Sequence, residues 1–234
     1  MITANYRFAD KIIEVNSIHD SVHEYCAAYR TDAPADLSVT ISQDDIEYER
    51  SRAESGNWSD KYLEELAVYR KICEKMPYYD TILFHGSVIA VDGYAYMFTA
   101  TSGTGKSTHA ALWRKLLGER AVMVNDDKPL LHIGETTTAY GTPYDGKHRL
   151  SSDISVPLKV VCILERSSEN HIETISKSDA YPMLLQQVYR PNDVFALRKT
   201  LTLLDKMACN VSFFRLGCNM DISAAELSYG FMSR

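Results

Sequence analysis

The sequence predicts a mixed, strand-rich α/β fold built around a phosphate-binding loop, and three observations predict it. An apolar run at residues 94–98 leads into Ala100-Thr101-Ser102-Gly103-Thr104-Gly105-Lys106-Ser107-Thr108, and a helix-like segment follows. That order of strand, Gly-rich loop and helix makes a cradle for nucleotide phosphates, because glycines let successive N–H groups turn inward at anionic oxygens. Asp92-Gly93, a two-residue hairpin signal, joins the apolar runs 82–91 and 94–99. An antiparallel hairpin therefore feeds the loop, where most proteins of this kind use a parallel sheet with helical crossovers. Finally, the short apolar strand Ala121-Val122-Met123-Val124 ends in Asn125-Asp126-Asp127 and presents two carboxylates at its tip.

Composition limits the remaining choices. The chain has 234 residues, 45% apolar and 24% charged, enough for one good core and a small extra lobe. A net charge of −6 argues against nucleic acid as the main partner. No basic segment followed by an apolar run opens the chain, and no apolar run reaches membrane-spanning length, so a cytoplasmic protein is expected. Five scattered cysteines without a C-x-x-C pair read as reduced, structural thiols.

Residues 1–80 are expected to form an α+β lobe. Alternating apolar runs between residues 6 and 15 predict strands, and residues 21–29 a short helix. Further strands are expected at 37–41 and 46–48, with a loop over 51–57. Ser59 is a plausible N-cap for a helix whose apolar face is Leu63, Leu66, Tyr69, Ile72, Cys73 and Met76, and Pro77 ends it. Residues 81–234 form the second domain. Its expected elements are strands at 82–91, 94–99, 121–124, 130–133, 136–140, 158–164 and 211–216. Helices are expected at 107–117, 180–189, 193–209 and 224–232, with Gly118 as the stop signal of the first.

Phosphoryl transfer asks for positioning and charge neutralisation more than for covalent chemistry. Ser102, Gly103, Thr104, Gly105, Lys106, Ser107 and Thr108 would hold the nucleotide. Lys106 would reach the β- and γ-phosphates, and the Ser107 hydroxyl would ligate Mg²⁺. Ala100 stands where the strict pattern has glycine. Adjacent acids on a strand tip point differently, so one of Asp126 and Asp127 faces the metal and the other an acceptor hydroxyl whose proton it takes. The residues alone leave open which does which. His85, beside Gly86, either orients a catalytic Asp or is a structural histidine. Residues 141–149 are a loop of turn formers and basic groups. Lys147 and Arg149 would bind transferring phosphoryl oxygens or an acidic acceptor, or else stand as solvated charges. Glu165-Arg166, after the Val-rich strand, is a weaker candidate of the same kind.

His85-Gly86, the hairpin, the loop from Ser102 to Thr108 and Asn125-Asp126-Asp127 occur in the order seen in HPr kinase/phosphorylase, which the chain resembles over residues 81–220. Gly141-Thr142-Pro143, Val156-Pro157-Leu158-Lys159 and Phe213-Phe214-Arg215-Leu216 look like its smaller stand-alone relatives. The resemblance implies a P-loop core of the phosphoenolpyruvate carboxykinase type and an ATP- and Mg²⁺-dependent kinase of a serine-type hydroxyl. It brings His85 and Asp126 into the catalytic site with Asp126 as base, which leaves Asp127 with Ser107 for the metal. The chain is short for the bifunctional enzyme, so the acceptor is expected to be a hydroxyl on a peptide, protein or small molecule rather than HPr. Relatives of this kind often form homo-oligomers. Two other readings stand beside the kinase. One is a nucleotide-binding sensor or partner module without turnover. The other is a nucleotide-dependent decarboxylase like phosphoenolpyruvate carboxykinase, for which the chain lacks a large substrate lobe.

Overall fold

The computed structural model describes residues 1–53, 56–146 and 148–234. Among these the chain divides into two compact units, Met1–Met76 and Pro77–Arg234.

The first unit begins with the hairpin β1 (Ile2–Phe8) and β2 (Lys11–Ser17). Ala9 and Asp10 both have positive φ, as a tight two-residue hairpin turn requires. Alternation buries Tyr6, Phe8, Ile13 and Val15 on one face. After the short helix α1 (Ser21–Tyr25) come β3 (Arg30–Thr31) and β4 (Leu37–Thr40), and the described sheet runs β3-β1-β2-β4. The strand expected at 46–48 is instead part of helix α2 (Gln43–Arg52). Ser42 and Asp45 form a capping box that starts a helix where the apolar pattern alone reads as a strand. Helix α3 (Asp60–Lys75) starts at Ser59, whose hydroxyl accepts the Tyr62 N–H at 3.3 Å. Arg70 of α3 sits among Asp45, Glu49 and Glu74 and ties α3 to α2. Lys71 and Lys75 donate to the Thr40 and Ser38 carbonyls of β4, at 2.8 and 2.6 Å.

The second unit has the strands β5 (Thr81–Leu83), β6 (Ser87–Val91) and β7 (Tyr94–Thr99), then helix α4 (Lys106–Leu117) and β8 (Ala121–Asn125). β9 (Leu130–Ile133), β10 (Thr137–Tyr140), β11 (Ser155–Arg166) and β12 (His171–Thr174) follow. Helices α5 (Lys177–Gln187) and α6 (Val194–Asn210), strand β13 (Ser212–Cys218) and helix α7 (Ile222–Met232) complete it. The described sheet runs β5-β9-β10-β11-β7-β6-β8, with β13 on β11 and β12 on β13. It is mixed: β6 is antiparallel to both β7 and β8, whereas β11 is parallel to β7 and β13. The expected α/β, strand-rich class is therefore what the chain adopts.

The strand expected over 82–91 is broken into β5 and β6. Gly86 lies so close to β7 that a Cβ would stand 3.0 Å from the Phe98 carbonyl oxygen, and the His85 N–H turns aside to the Gln187 carbonyl. Alternation along the central strands fills both faces of the sheet. Ala95, Met97, Val161 and Ile163 pack with Leu184, Leu203 and Met207 of α5 and α6. Tyr96, Phe98, Val160 and Cys162 pack with Ala110, Trp113 and Ala225 of α4 and α7. No helix among the described residues is long and apolar enough to cross a membrane.

Candidate functional site

Strand directions bring the predicted residues to one end of the sheet. β7 and β8 both run antiparallel to β6, so their C-terminal ends lie together beside the first residue of β6. The loop after β7, the acids after β8 and His85-Gly86 before β6 thus share an edge.

The loop has the backbone that its glycines permit, with φ of +77° at Gly103 and +123° at Gly105. Gly105 caps α4, so the helix opens on Lys106, Ser107 and Thr108 with its N–H groups facing the loop. The Thr101 and Thr104 hydroxyls pair at 2.9 Å, and Ser102 stands exposed at the bend. Ala100, where the strict pattern has glycine, is buried in the core against α4, and its carbonyl oxygen accepts from Lys106 Nζ at 3.3 Å. Burial pulls the Lys106 ammonium down from its ordinary range, while the charges of Asp127 and Asp126 push it back up.

The acid pair is held by a built turn. Asn125, fully buried, accepts the Asp127 and Lys128 N–H groups on its side-chain oxygen at 2.9 and 2.7 Å. Its amide nitrogen donates to the Thr142 carbonyl and hydroxyl at 3.2 and 3.1 Å. The Ser87 hydroxyl lies 2.9 Å from Asp126 Oδ1 and 3.0 Å from the Asp126 carbonyl oxygen. The Ser107 hydroxyl lies near enough to Asp126 to help lower its carboxyl, so the start of α4 and the acid are neighbours. Asp127 has other partners, with Oδ1 3.1 Å from His85 Nε2 and Oδ2 3.2 Å from Lys128 Nζ, and its charge also reaches Lys106.

The two acids differ electrostatically. Burial raises the Asp126 carboxyl above the usual range, opposed by the Ser87 hydrogen bond and the nearby Ser107 hydroxyl, while the Asp127 charge raises it further and His148 lowers it. Burial also acts to raise Asp127, but the His85 hydrogen bond and the Lys128 charge outweigh it and bring this carboxyl down to about 2. One carboxylate is thus of raised basicity and its neighbour a persistent anion.

The 141–149 loop returns over Asp126. A Cβ on Gly146 would stand 3.0 Å from Asp126 Oδ2, and one on Gly141 would collide with the Ser152 carbonyl oxygen at 1.8 Å. Arg149 is exposed, has φ of +48°, and donates its N–H to the Gly146 carbonyl at 3.1 Å. Lys147 lies outside the described residues. Ser87, Lys128 and Gly146 join the site without having been singled out from the sequence. Ser87, at the first position of a strand that meets the acid-bearing strand, is the one a pairing argument could have found.

Among the described residues no cluster of three His, Cys, Asp or Glu side chains could hold a metal. The donors present are the Ser107 hydroxyl and two carboxylates. Such an oxygen set fits Mg²⁺, which takes one or two carboxylates and completes its shell with water and substrate phosphates.

No curated protein matches the chain. A solved structure that does is the Hpr(Ser) kinase/phosphatase from Coxiella burnetii, at 9% identity and a TM-score of 0.35, covering 65% of this chain and 99% of that one. Residues 53–220 match the family described as SynChlorMet cassette protein ScmC. That span is more than half of the 234 residues, and the chain belongs to the ScmC family of SynChlorMet cassette proteins.

Proposed function

We propose that the protein is an ATP- and Mg²⁺-dependent kinase that transfers the γ-phosphoryl group to a serine-type hydroxyl of a peptide, protein or small molecule. The observation that carries this reading is the convergence of the phosphate loop and the acid pair, since β7 and β8 end together beside the start of β6 and Lys106 feels the charge of both acids. The loop from Ser102 to Thr108 binds the triphosphate through backbone N–H groups, and Lys106 neutralises charge on the β- and γ-oxygens. Ser107 and Asp127 would hold Mg²⁺, which when bound supplies Lewis-acid charge to the transferring phosphoryl group. Asp126 accepts the acceptor's hydroxyl proton as that oxygen bonds to the γ-phosphorus and the bond to ADP breaks. His85 holds Asp127 in place. Arg149, with Lys147, would attract an anionic acceptor. The protein is read as cytoplasmic and without a nucleic-acid partner.

The test is transfer of ³²P from γ-labelled ATP to hydroxyl-bearing acceptors, with Asp126→Asn as control. The kinase reading expects transfer by the wild type and a loss of roughly 10²–10⁴-fold in the variant with ATP still bound. A wild type that binds ATP and never transfers phosphate, even to water, is the nucleotide sensor instead.

A further inference from the structure

Arg166, the basic residue after the Val-rich strand, has no part in the chemistry above, yet it touches the phosphate loop. β11 is parallel to β7, with Ile163 opposite Thr99, and runs on through Leu164 and Glu165 to Arg166. Its last residue therefore lies alongside the loop that β7 feeds. β13 fixes this end, with Cys218 opposite Arg166 and the Ser167 N–H donating to the Cys218 carbonyl at 3.0 Å. From that backbone the exposed Arg166 side chain turns to the loop, and its Nη2 donates to the Gly103 carbonyl. Both residues line a cavity of about 460 Å³ beside the loop.

The loop has little else to hold it. Gly103 and Gly105 stand at φ of +77° and +123°, and glycine resists rotation less than any other residue. The Thr101 and Thr104 hydroxyls pair at 2.9 Å, the Thr104 N–H donates to the Thr101 carbonyl at 3.3 Å, and Lys106 Nζ donates to the Ala100 carbonyl at 3.3 Å. Each of these joins the loop to itself or to its own helix. Among the described residues, Arg166 makes the one hydrogen bond that reaches residues 100–105 from outside the loop and α4. No carboxylate among them competes for the guanidinium, and its bond to a carbonyl is charge-assisted.

The Gly103 carbonyl and the Thr104 N–H belong to one trans peptide unit and point opposite ways. With the carbonyl held outward by Arg166, the N–H points back across the loop. Once released, the unit can turn over, because the glycine before it permits the rotation. A turned unit would present a carbonyl oxygen to an anion where the loop needs an N–H.

We propose that Arg166 is a positioning residue for the phosphate loop, holding the Gly103 carbonyl outward so that the loop offers N–H donors to the phosphates. The proposal rests on the nucleotide-binding reading above and adds a residue that readies the loop before the ligand arrives.

Two measurements on the wild type, Arg166→Ala and Arg166→Lys test it. Calorimetry gives the affinity for MgATP and for Mg-tripolyphosphate, and hydrogen exchange of the ligand-free proteins gives the protection of the Thr104 amide. In Arg166→Ala the affinity for both ligands is expected to fall by the same factor, about tenfold or more, the usual effect of losing a hydrogen bond to a charged group. The Thr104 amide of the free protein should exchange about tenfold faster while the sheet amides keep their rates, and Arg166→Lys, which keeps a charged donor, should recover part of both losses. Unchanged affinities in Arg166→Ala overturn the proposal and leave the nucleotide reading standing. A loss confined to ATP overturns it in favour of a contact with the nucleoside. Loss of both affinities with unchanged exchange, or a Thr104 amide unprotected in the wild type, overturns it in favour of a direct contact with the phosphates. Failure of the wild type to bind either ligand overturns the nucleotide reading itself. Should Arg166→Ala not fold, Arg166→Gln, which removes the charge and shortens the side chain, decides by the same two measurements.

Discussion

His85 Nε2 lies 3.1 Å from Asp127 Oδ1, and the backbone beside it is tied to the same residue, since the Gly86 N–H donates to the Asp127 carbonyl at 3.1 Å. The histidine and the acid are thus fixed to each other twice. His85→Ala is expected to lower phosphoryl transfer by roughly 10–100-fold, the usual cost of removing a group that orients a metal ligand. ATP affinity should stay within about twofold, because in the proposed function the loop before α4, not His85, carries the nucleotide. His85→Gln, which keeps a donor, should recover part of the loss. Steady-state kinetics and calorimetry on the three proteins check this, and wild-type turnover in His85→Ala would remove His85 from the site.

Asn125 holds the turn that aims both acids. Replacing it with alanine removes the Asn125 bonds to the Asp127 and Lys128 N–H groups and to the Thr142 carbonyl. Asn125→Ala should cost about 1–3 kcal/mol of stability. It should also reduce transfer by the folded fraction, as the acids lose their posture. Denaturant midpoints give the first quantity, and kinetics well below the melting range give the second.

Two glycines of the same loop should behave differently. A Cβ on Gly141 meets backbone at 1.8 and 2.7 Å, which cannot yield, so Gly141→Ala should destabilise the fold by about 1–3 kcal/mol or more. A Cβ on Gly146 meets the Asp126 carboxylate, so Gly146→Ala should lower turnover several-fold while the melting temperature stays close to wild type. Thermal melts paired with single-turnover rates separate the two. A Gly146→Ala protein of full activity would show that the loop does not bear on Asp126.

Much of the site was legible because its signals are local. Asp92-Gly93 marks a true hairpin, Gly105 and Lys106 open a helix, and Asn125-Asp126-Asp127 ends a strand, each with a residue type that the backbone geometry demands. What the sequence did not show depends on pairing across the sheet. Ser87 reaches Asp126 only because β6 lies against β8, and the cavity beside the loop exists because β11 and β13 end there. The strand expected at 46–48 failed for the opposite reason. Ile46 and Tyr48 satisfy a strand pattern as well as a helical one, and the Ser42–Asp45 cap decides between them. The break between β5 and β6 was hidden as well, since it comes from the close approach of Gly86 to Phe98 on another strand.

The buried His109 should appear in the pH dependence of stability. Burial pushes its imidazole from the ordinary 6.5 down to about 4. As pH falls, the unfolded chain takes up the proton first. The stabilisation is therefore whole above about 6.5 and is lost as pH falls towards about 4, a loss of about 3 kcal/mol over that window. His23, also lowered by burial, acts in the same direction. Denaturant titrations between pH 7 and pH 4 should show a slope that His109→Gln flattens. An unchanged slope in that variant would mean that the ring is not buried neutral.

The lysines on β4 have a consequence for assembly. A strand at the margin of a sheet offers its carbonyls to any extended chain that drifts past, and so invites unplanned growth of the sheet. Here the Ser38 and Thr40 carbonyls already receive the ammonium groups of Lys75 and Lys71. A passing strand would have to displace two cations and then lie beside them without offering a compensating charge. The first unit therefore resists extension at this margin. A self-associated form of the protein would have to be joined through side-chain surfaces or another strand margin, not through a sheet running on from β4.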